Sequence, residues 1–294
     1  MPATIVDGNA AAADIRNDVS ARIARFTIEH GPIRLCAVLV GNDPAARLYA
    51  DSQRHRCLQA GVQHQLVELP PDLSEAALLA EIDRLNRDPE VTGVMIQLPL
   101  PPHIDEAVVQ YRIDPYKDVE GVNPANIGML FYGVPIIAPC TALAATELIR
   151  RSGVEVRGAH AVVVGQSRIV GRPIAMFLTM QMATVTACHI ATRDLAAHTR
   201  TADILVVAVG KPGLIGAGHV KPGAVVIDVG INRVKLRGPD GVETRKTVGD
   251  VDFDAVRDVA GAITPVPGGV GPVTVAMLLR NTVEAARKQL QRRV

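Results

Sequence analysis

Residues 161–173 read AVVVGQSRIVGRP, and this stretch decides the fold. An aliphatic run stops at Gly165, Ser167 follows two positions on, and Gly171 precedes an apolar segment from Ile174 to Met180. Strand, small-residue turn and helix in that order form the phosphate turn of a Rossmann domain. Small residues there let backbone N–H groups and a helix N-terminus approach a pyrophosphate. The pattern departs from GxGxxG, because Ser167 takes the place of the second glycine and Gly171 comes one residue late. A tight structural turn is the alternative reading; the position straight after a buried strand favours the dinucleotide.

Working outward, ATVTACH (183–189), ILVVAVG (204–210) and AVVIDVG (224–230) supply further buried strands of a doubly wound α/β domain. The strand ending at Cys188 and His189 carries no carboxylate to grip a ribose hydroxyl. Nothing there repels a 2′-phosphate, and Arg193 is close enough in sequence to pair with one, which favours NADP over NAD. A solvated residue at a helix start is the other reading of Arg193.

Towards the N-terminus, LCAVLVG (35–41), QLVEL (65–69) and VTGVMIQL (91–98) alternate with two helical patterns, so they form a second parallel sheet. The first helix opens with Asp43 as N-cap and Pro44 at its first position, and ends at Gly61. The second has Leu78, Leu79, Ile82 and Leu85 at helical spacing. Residues 98–128, rich in Pro, Gly and Asn, read as an ordered loop region between domains. A helix follows from about residue 142 to 151, and the chain closes with one from about Pro272.

The composition limits the partner. Lys plus Arg number 31 against 30 Asp plus Glu, giving a net charge of +1 with no footprint for a polyanion. With four Phe, four Tyr and no Trp there is little to stack on bases, so nucleic acid is not expected. No apolar run reaches membrane-spanning length, no signal peptide opens the chain, and four scattered cysteines suit a reducing cytoplasm. The eight histidines form no HExxH pair, so no metal is expected. A small molecule is the expected partner.

Three places are candidates for its site. Tyr49 and Gln53 lie four apart on one helix face and are suited to orienting a polar group, or belong to an ordinary amphipathic helix. Gln97 lies at the C-terminal end of its strand, where ligands of open α/β sheets collect. PGGVGP (267–272) admits close backbone approach to a ligand, or makes a connecting turn. Lys117, Asp118 and Glu120 cluster in a loop, and such clusters are mostly solvated surface.

Together these segments resemble the methylenetetrahydrofolate dehydrogenase/cyclohydrolase family. The matching blocks are VGNDPAARLYADS (40–52), GVMIQLPLPPHID (93–105), DPYKDVEGVNPANIG (114–128), GQSRIVGRP (165–173), AVGKPG (208–213), VVIDVGINR (225–233), VGDVDF (248–253) and TPVPGGVGPVTVAML (264–278). They run in the family's order over most of the chain. The resemblance implies a two-domain α/β homodimer. Its folate-binding domain comprises residues 1–140 with the returning C-terminal helix 272–294, and its Rossmann NAD(P)-binding domain residues 141–271. The substrate, a tetrahydrofolate derivative, would lie between them.

The same resemblance implies residue roles. Tyr49, Gln53, Gln97 and Glu120 occupy the catalytic positions, and Tyr49, Gln97, Leu98, Glu120, Pro267, Gly268 and Gly269 the substrate-binding ones. Gly165, Gln166, Ser167, Gly171, His189, Arg193 and Ile231 would bind NADP, with NAD possible. Hydride leaves the methylene carbon for the nicotinamide, and water then opens the methenyl ring to 10-formyltetrahydrofolate. The family assigns the proton work of that second step to a lysine four residues after the tyrosine. This chain has Gln53 there, Glu120 in place of an aspartate, Asn123 in place of a histidine, Gln166 in place of an arginine, and Ile190 after the strand-end histidine. The expectation is therefore a dehydrogenase whose cyclohydrolase activity is weak or absent. The alternatives are the full bifunctional enzyme and a non-catalytic folate-binding paralogue.

Overall fold

A computed structural model describes residues 2–237 and 243–292; for Ala45, Tyr49, Leu236, Arg237 and Glu243 it describes the backbone alone. In chain order the elements begin with β1 (Thr4–Ile5), α1 (Gly8–His30), β2 (Arg34–Val40), α2 (Pro44–Ala60) and β3 (Gln63–Leu69). Next come α3 (Glu75–Arg87), β4 (Gly93–Ile96), α4 (Glu106–Arg112), α5 (Pro124–Phe131) and α6 (Cys140–Arg151). β5 (His160–Val164), α7 (Gly171–Met180), β6 (Thr184–Cys188), α8 (Leu195–Thr199), β7 (Ile204–Val207) and β8 (Val225–Asp228) follow. The chain ends with β9 (Asn232–Arg237), β10 (Glu243–Val248), α9 (Phe253–Arg257), β11 (Ala262–Ile263) and α10 (Val270–Arg292).

Two compact units divide this chain. One holds residues 1–13 and 141–274, the other residues 14–140 and 275–294. The first thirteen residues thus fold with the later part of the chain, because β1 pairs in parallel with β11.

In the first unit the sheet order is β1-β11-β8-β7-β5-β6, and every pairing is parallel. β5 has β6 on one flank and β7 on the other, so the strand order reverses there. Such a switch point opens a crevice at the strand ends. Val162, Val164, Leu205, Val207, Val226 and Ile263 pack in the core with Ile215, Val220 and Val256. β9 and β10 pair antiparallel as a separate ribbon, which the sequence reading did not anticipate.

The second unit has the parallel order β3-β2-β4. Residues 35–40 of β2 are all buried, as expected of a central strand covered on both faces. α3 lays Leu78, Ile82 and Leu85 on this sheet, and α4 adds Val109 and Ile113. α2 starts as its sequence predicts: the Asp43 side chain accepts from the Ala46 N–H, and Gly61 ends the helix in a left-handed conformation.

Two sequence expectations are corrected, and one helix was not foreseen. Residues 98–128 are not simply loop, since α4 and α5 lie within them, capped by Asp105 and Asn123. The opening residues contain a 23-residue helix, α1, whose inward positions Ala11, Ile15, Val19 and Ile23 recur every fourth residue. The last helix starts at Val270 rather than Pro272.

Candidate active site

The inward face of α2 consists of Ala46, Ala50, Gln53, Cys57 and Ala60, all buried. Gln53 is the polar member of an otherwise apolar stripe. Its Oε1 accepts a 2.9 Å hydrogen bond from Nε2 of Gln97, which is equally buried. Gln97 follows β4 directly and still donates its backbone N–H to Val38 O at 2.8 Å, so the sheet fixes its position. The Nε2 of Gln53 is buried without a hydrogen-bond partner. A buried amide donor left unpaired costs about 1–3 kcal/mol, which a ligand acceptor would recover. Tyr49 lies one turn earlier on α2, and its side chain is outside the described residues. Leu98 is exposed beside Gln97.

A second segment runs alongside β4. The Val94 N–H donates to Lys117 O, and Val94 bridges Asp118 in parallel, so continuing the register sets Glu120 beside Ile96. The solvated cluster expected at 117–120 is instead largely inside the protein. Lys117 is buried, and its Nζ donates to the carbonyls of Leu85 and Asp88. Asp118 is buried and accepts from the N–H groups of Gly121 and Asn123 and from Nδ2 of Asn126. Helix α3 offers unpaired carbonyls at its end and the tight turn at Asp118 offers unpaired N–H groups, so both charges are drawn inward.

Glu120 is half-buried. Burial pushes its carboxyl up to about 8, the negative charges of Asp118 and Glu106 add to the rise, and a backbone hydrogen bond at Ile96 opposes it. Asn281, on α10, donates to the carbonyls of Val119 and Ala138 and so ties down the segment that carries Glu120. The sequence reading missed Asn281. A polar residue four positions from the buried Met277 and Ala285 was the available signal.

In the other unit, Gly165 ends β5 with φ +102°. A Cβ on Gly171 would lie 1.8 Å from the Gly165 carbonyl oxygen, so the turn closes only with glycine at that position. Gln166 bonds back to Val163 O, and the Ser167 hydroxyl accepts from the Gly171 N–H. Val170 is the N-cap of α7 and makes no side-chain cap bond, whereas α2, α3, α4 and α5 all have one. The glycine-lined turn, with Ser167 at the start of α7, fits a dinucleotide pyrophosphate.

His189 and Arg193 are exposed just after β6, and Ile190 is fully exposed between them. Ile231, Pro267, Gly268 and Gly269 line one cavity of about 80 Å³ together with Asp228. Asp228 is buried beside Asp250 and accepts from the N–H groups of Gly230, Asp250 and Val251. Burial pushes its carboxyl up to about 6. The expected residues thus fall into three groups: the β4 end in one unit, and the β5 turn with the β6 tip and the Ile231 cavity in the other.

Residues 139–290 match the tetrahydrofolate dehydrogenase/cyclohydrolase NAD(P)-binding domain, and residues 6–120 match the catalytic domain of the same family. The chain belongs to that family. It is 51% identical to the bifunctional protein FolD of Bordetella petrii over 286 residues, 97% of this chain and 95% of the relative. Its fold matches the crystal structure of the bifunctional enzyme FolD from Campylobacter jejuni with TM-score 0.90 and 40% identity, covering 97% and 99% of the two chains. The Trypanosoma brucei methylenetetrahydrofolate dehydrogenase-cyclohydrolase, solved with NADP and an inhibitor, gives TM-score 0.91 and 39% identity over 99% of each chain. Among the described residues no helix is long and apolar enough to cross a membrane.

Proposed function

We propose that this chain is both a 5,10-methylenetetrahydrofolate dehydrogenase and a methenyltetrahydrofolate cyclohydrolase, using NADP and forming 10-formyltetrahydrofolate. One observation carries the reading: half of all residues are shared, over nearly the whole length, with a relative named bifunctional. Weak or absent hydrolysis, the expectation drawn from Gln53 alone, finds no support among such relatives. The second activity is therefore retained in the proposal despite the missing lysine.

In this reading Gln97 orients the reacting ring, and the spare Nε2 of Gln53 donates to a substrate oxygen. Glu120 accepts from the pterin's N–H donors through one carboxyl oxygen, while Tyr49 and Leu98 flank the ring. Pro267, Gly268 and Gly269 bring backbone groups to the substrate. The turn from Gly165 through Gln166 and Ser167 to Gly171 holds the dinucleotide pyrophosphate, with Ile231 and His189 beside the rest of the cofactor. When bound, the nicotinamide takes up the hydride that leaves the methylene carbon. The missing carboxylate after β6 and the exposed Arg193 support NADP over NAD, as does the NADP bound to the trypanosomal relative. A homodimer, implied by the family resemblance, completes the proposal, and sedimentation at micromolar concentration tests it.

The activity test has two arms. Protein mixed with methylenetetrahydrofolate and NADP should produce reduced cofactor; no turnover with NADP or NAD would sink the dehydrogenase. Methenyltetrahydrofolate supplied alone should decay well above the buffer-catalysed rate. Decay at the buffer rate with a working dehydrogenase would restore the monofunctional expectation.

A further inference from the structure

β7 lies next to β5 and β8 next to β7, so the loops leaving their C-terminal ends border the crevice at the switch point. Both loops close on one side chain. Asp250 follows β10 and is wholly buried. Its Oδ2 accepts from the Val209 N–H at 2.7 Å and the Gly210 N–H at 3.0 Å, both in the loop after β7. Its Oδ1 accepts from Nδ2 of Asn232 at 2.8 Å, at the far end of the loop after β8.

Each loop reaches a segment assigned to the cofactor. A Cβ on Gly165 would lie 2.0 Å from the Ala208 carbonyl oxygen and 3.2 Å from Cγ1 of Val209, so the loop after β7 backs directly onto the phosphate turn. A Cβ on Gly230 would lie 2.2 Å from Cγ of Asp250, so the loop after β8 folds tightly over the carboxyl. Ile231 is thereby held exposed between Gly230 and Asn232. Asp250 is itself fixed by its backbone. Its N–H donates to Oδ1 of Asp228 at 3.0 Å, and its carbonyl accepts from the Ile215 N–H at 3.1 Å. A buried carboxyl is a costly way to fill space, and what it supplies here is fixed geometry.

Resting on the NADP-binding reading above, we infer that Asp250 is a positioning residue of the dinucleotide site. Its two oxygens set the spacing between the Ala208–Gly210 loop, which backs the phosphate turn, and the segment that presents Ile231. Asp250 acts through Val209, Gly210 and Asn232 and needs no contact with the cofactor. Both loops are then ordered before NADP arrives, so binding loses less conformational entropy.

Three variants separate positioning from simple support of the fold. Asp250→Ala leaves the Val209, Gly210 and Asn232 donors unpaired and frees both loops. Asp250→Asn keeps one oxygen for Val209 and Gly210, and Asn232 can turn its own amide to offer oxygen to the new NH₂ group. Asn232→Ala releases the Ile231 segment alone. A fourth variant, Val256→Ala, is the control for lost stability, because it removes buried methyl groups from the core of the same unit and leaves the Asp250 ties in place.

The test is calorimetric titration of the full chain with NADP, run beside thermal unfolding of each protein. Asp250→Ala should weaken NADP binding by about tenfold or more, the equivalent of re-ordering one or two residues on binding. Asn232→Ala should weaken it by a smaller factor, and Asp250→Asn should stay within about threefold of wild type. Val256→Ala should lower the melting temperature and leave the affinity unchanged. Wild-type affinity in a folded Asp250→Ala protein overturns the inference. So does an Asp250→Asn protein that binds as weakly as Asp250→Ala, or a Val256→Ala protein that loses as much affinity. Should Asp250→Ala fail to fold, wild-type affinity in Asn232→Ala overturns it. A wild type that binds no NADP overturns both this inference and the NADP-dependent reading. A wild type that binds NADP without turning over methylenetetrahydrofolate overturns that reading alone.

Discussion

Gln97 donates its side-chain amide to the Gln53 carbonyl across 2.9 Å, and both groups are buried. Neither amide has water to fall back on. Gln97→Leu should therefore destabilise the fold by about 1–3 kcal/mol, because the Gln53 carbonyl loses its donor while its Nε2 stays unpaired. Gln53→Leu combined with Gln97→Leu should cost less than the sum of the single changes, since no amide is then left unpaired. Denaturant unfolding of the four proteins measures this coupling. Strict additivity would show that the pair does not act as a unit.

Asn281 ties α10 to the segment that carries Glu120. Replacing it with Leu leaves the Ala138 carbonyl without its donor and the Val119 carbonyl with the Cys140 thiol alone, at a cost of about 1–3 kcal/mol in thermal unfolding. Both activities should fall, because Glu120 holds the substrate of each. An unchanged melting temperature would refute the tie.

Much of this arrangement was legible in the sequence, for reasons that differ by residue. The parallel strands are short aliphatic runs ended by Gly or Pro, and their pattern is local. Gln53 was picked out by its four-residue spacing from Tyr49, and Gln97 as a polar residue between Ile96 and Leu98 at a strand end. Lys117 and Asp118 were not read as buried, because the partners of Lys117 are carbonyls at the end of α3 far back in the chain and those of Asp118 are turn N–H groups and the Asn126 side-chain amide, and a charge run carries no trace of them. α1 escaped notice because its first inward positions are alanines among other alanines, and the Ile15, Val19 and Ile23 that continue the stripe are widely spaced. α4 and α5 are under three turns each and lie between prolines, where loop signals dominate.

Asp228 gives stability a pH dependence whose sign is fixed. Burial pushes its carboxyl up to about 6 from an ordinary 3.8, so the fold favours the protonated form. That contribution is full below about pH 4 and is lost as the pH rises through about 6. Asp228→Asn removes the titration at the cost of an acceptor for the Gly230, Asp250 or Val251 N–H. The stability of wild type relative to Asp228→Asn should decline between about pH 4 and about pH 6 and stay level above. Equilibrium unfolding at a series of pH values checks this, and a rise over that window contradicts it.

Arg193 is exposed past the β6 tip, and the neighbouring Asp194 carboxylate is turned to the Ala197 N–H as the cap of α8. Arg193→Ala should lower kcat/KM for NADP by about tenfold, the equivalent of one charge-assisted contact, and leave NAD nearly unchanged. Equal losses with both cofactors would mean that the guanidinium does not read the phosphate.

Gly171 separates the two activities. A methyl group at this position would lie 1.8 Å from the Gly165 carbonyl oxygen, so Gly171→Ala must push the β5 turn and the start of α7 apart. Overpacking of this kind costs about 1–3 kcal/mol, and it displaces the N–H groups that would face the pyrophosphate. NADP affinity should weaken by at least about tenfold, and dehydrogenase turnover should fall with it. Hydrolysis of methenyltetrahydrofolate consumes no dinucleotide, and its proposed residues Gln53, Gln97 and Glu120 all lie in the other unit. Supplied directly with that substrate, Gly171→Ala should hydrolyse it at close to the wild-type rate. Cofactor titration and the two rate assays, run on one preparation whose folding has been confirmed by its melting curve, decide the point. Parallel loss of both activities in a folded Gly171→Ala protein would place the hydrolytic machinery elsewhere than at the end of β4.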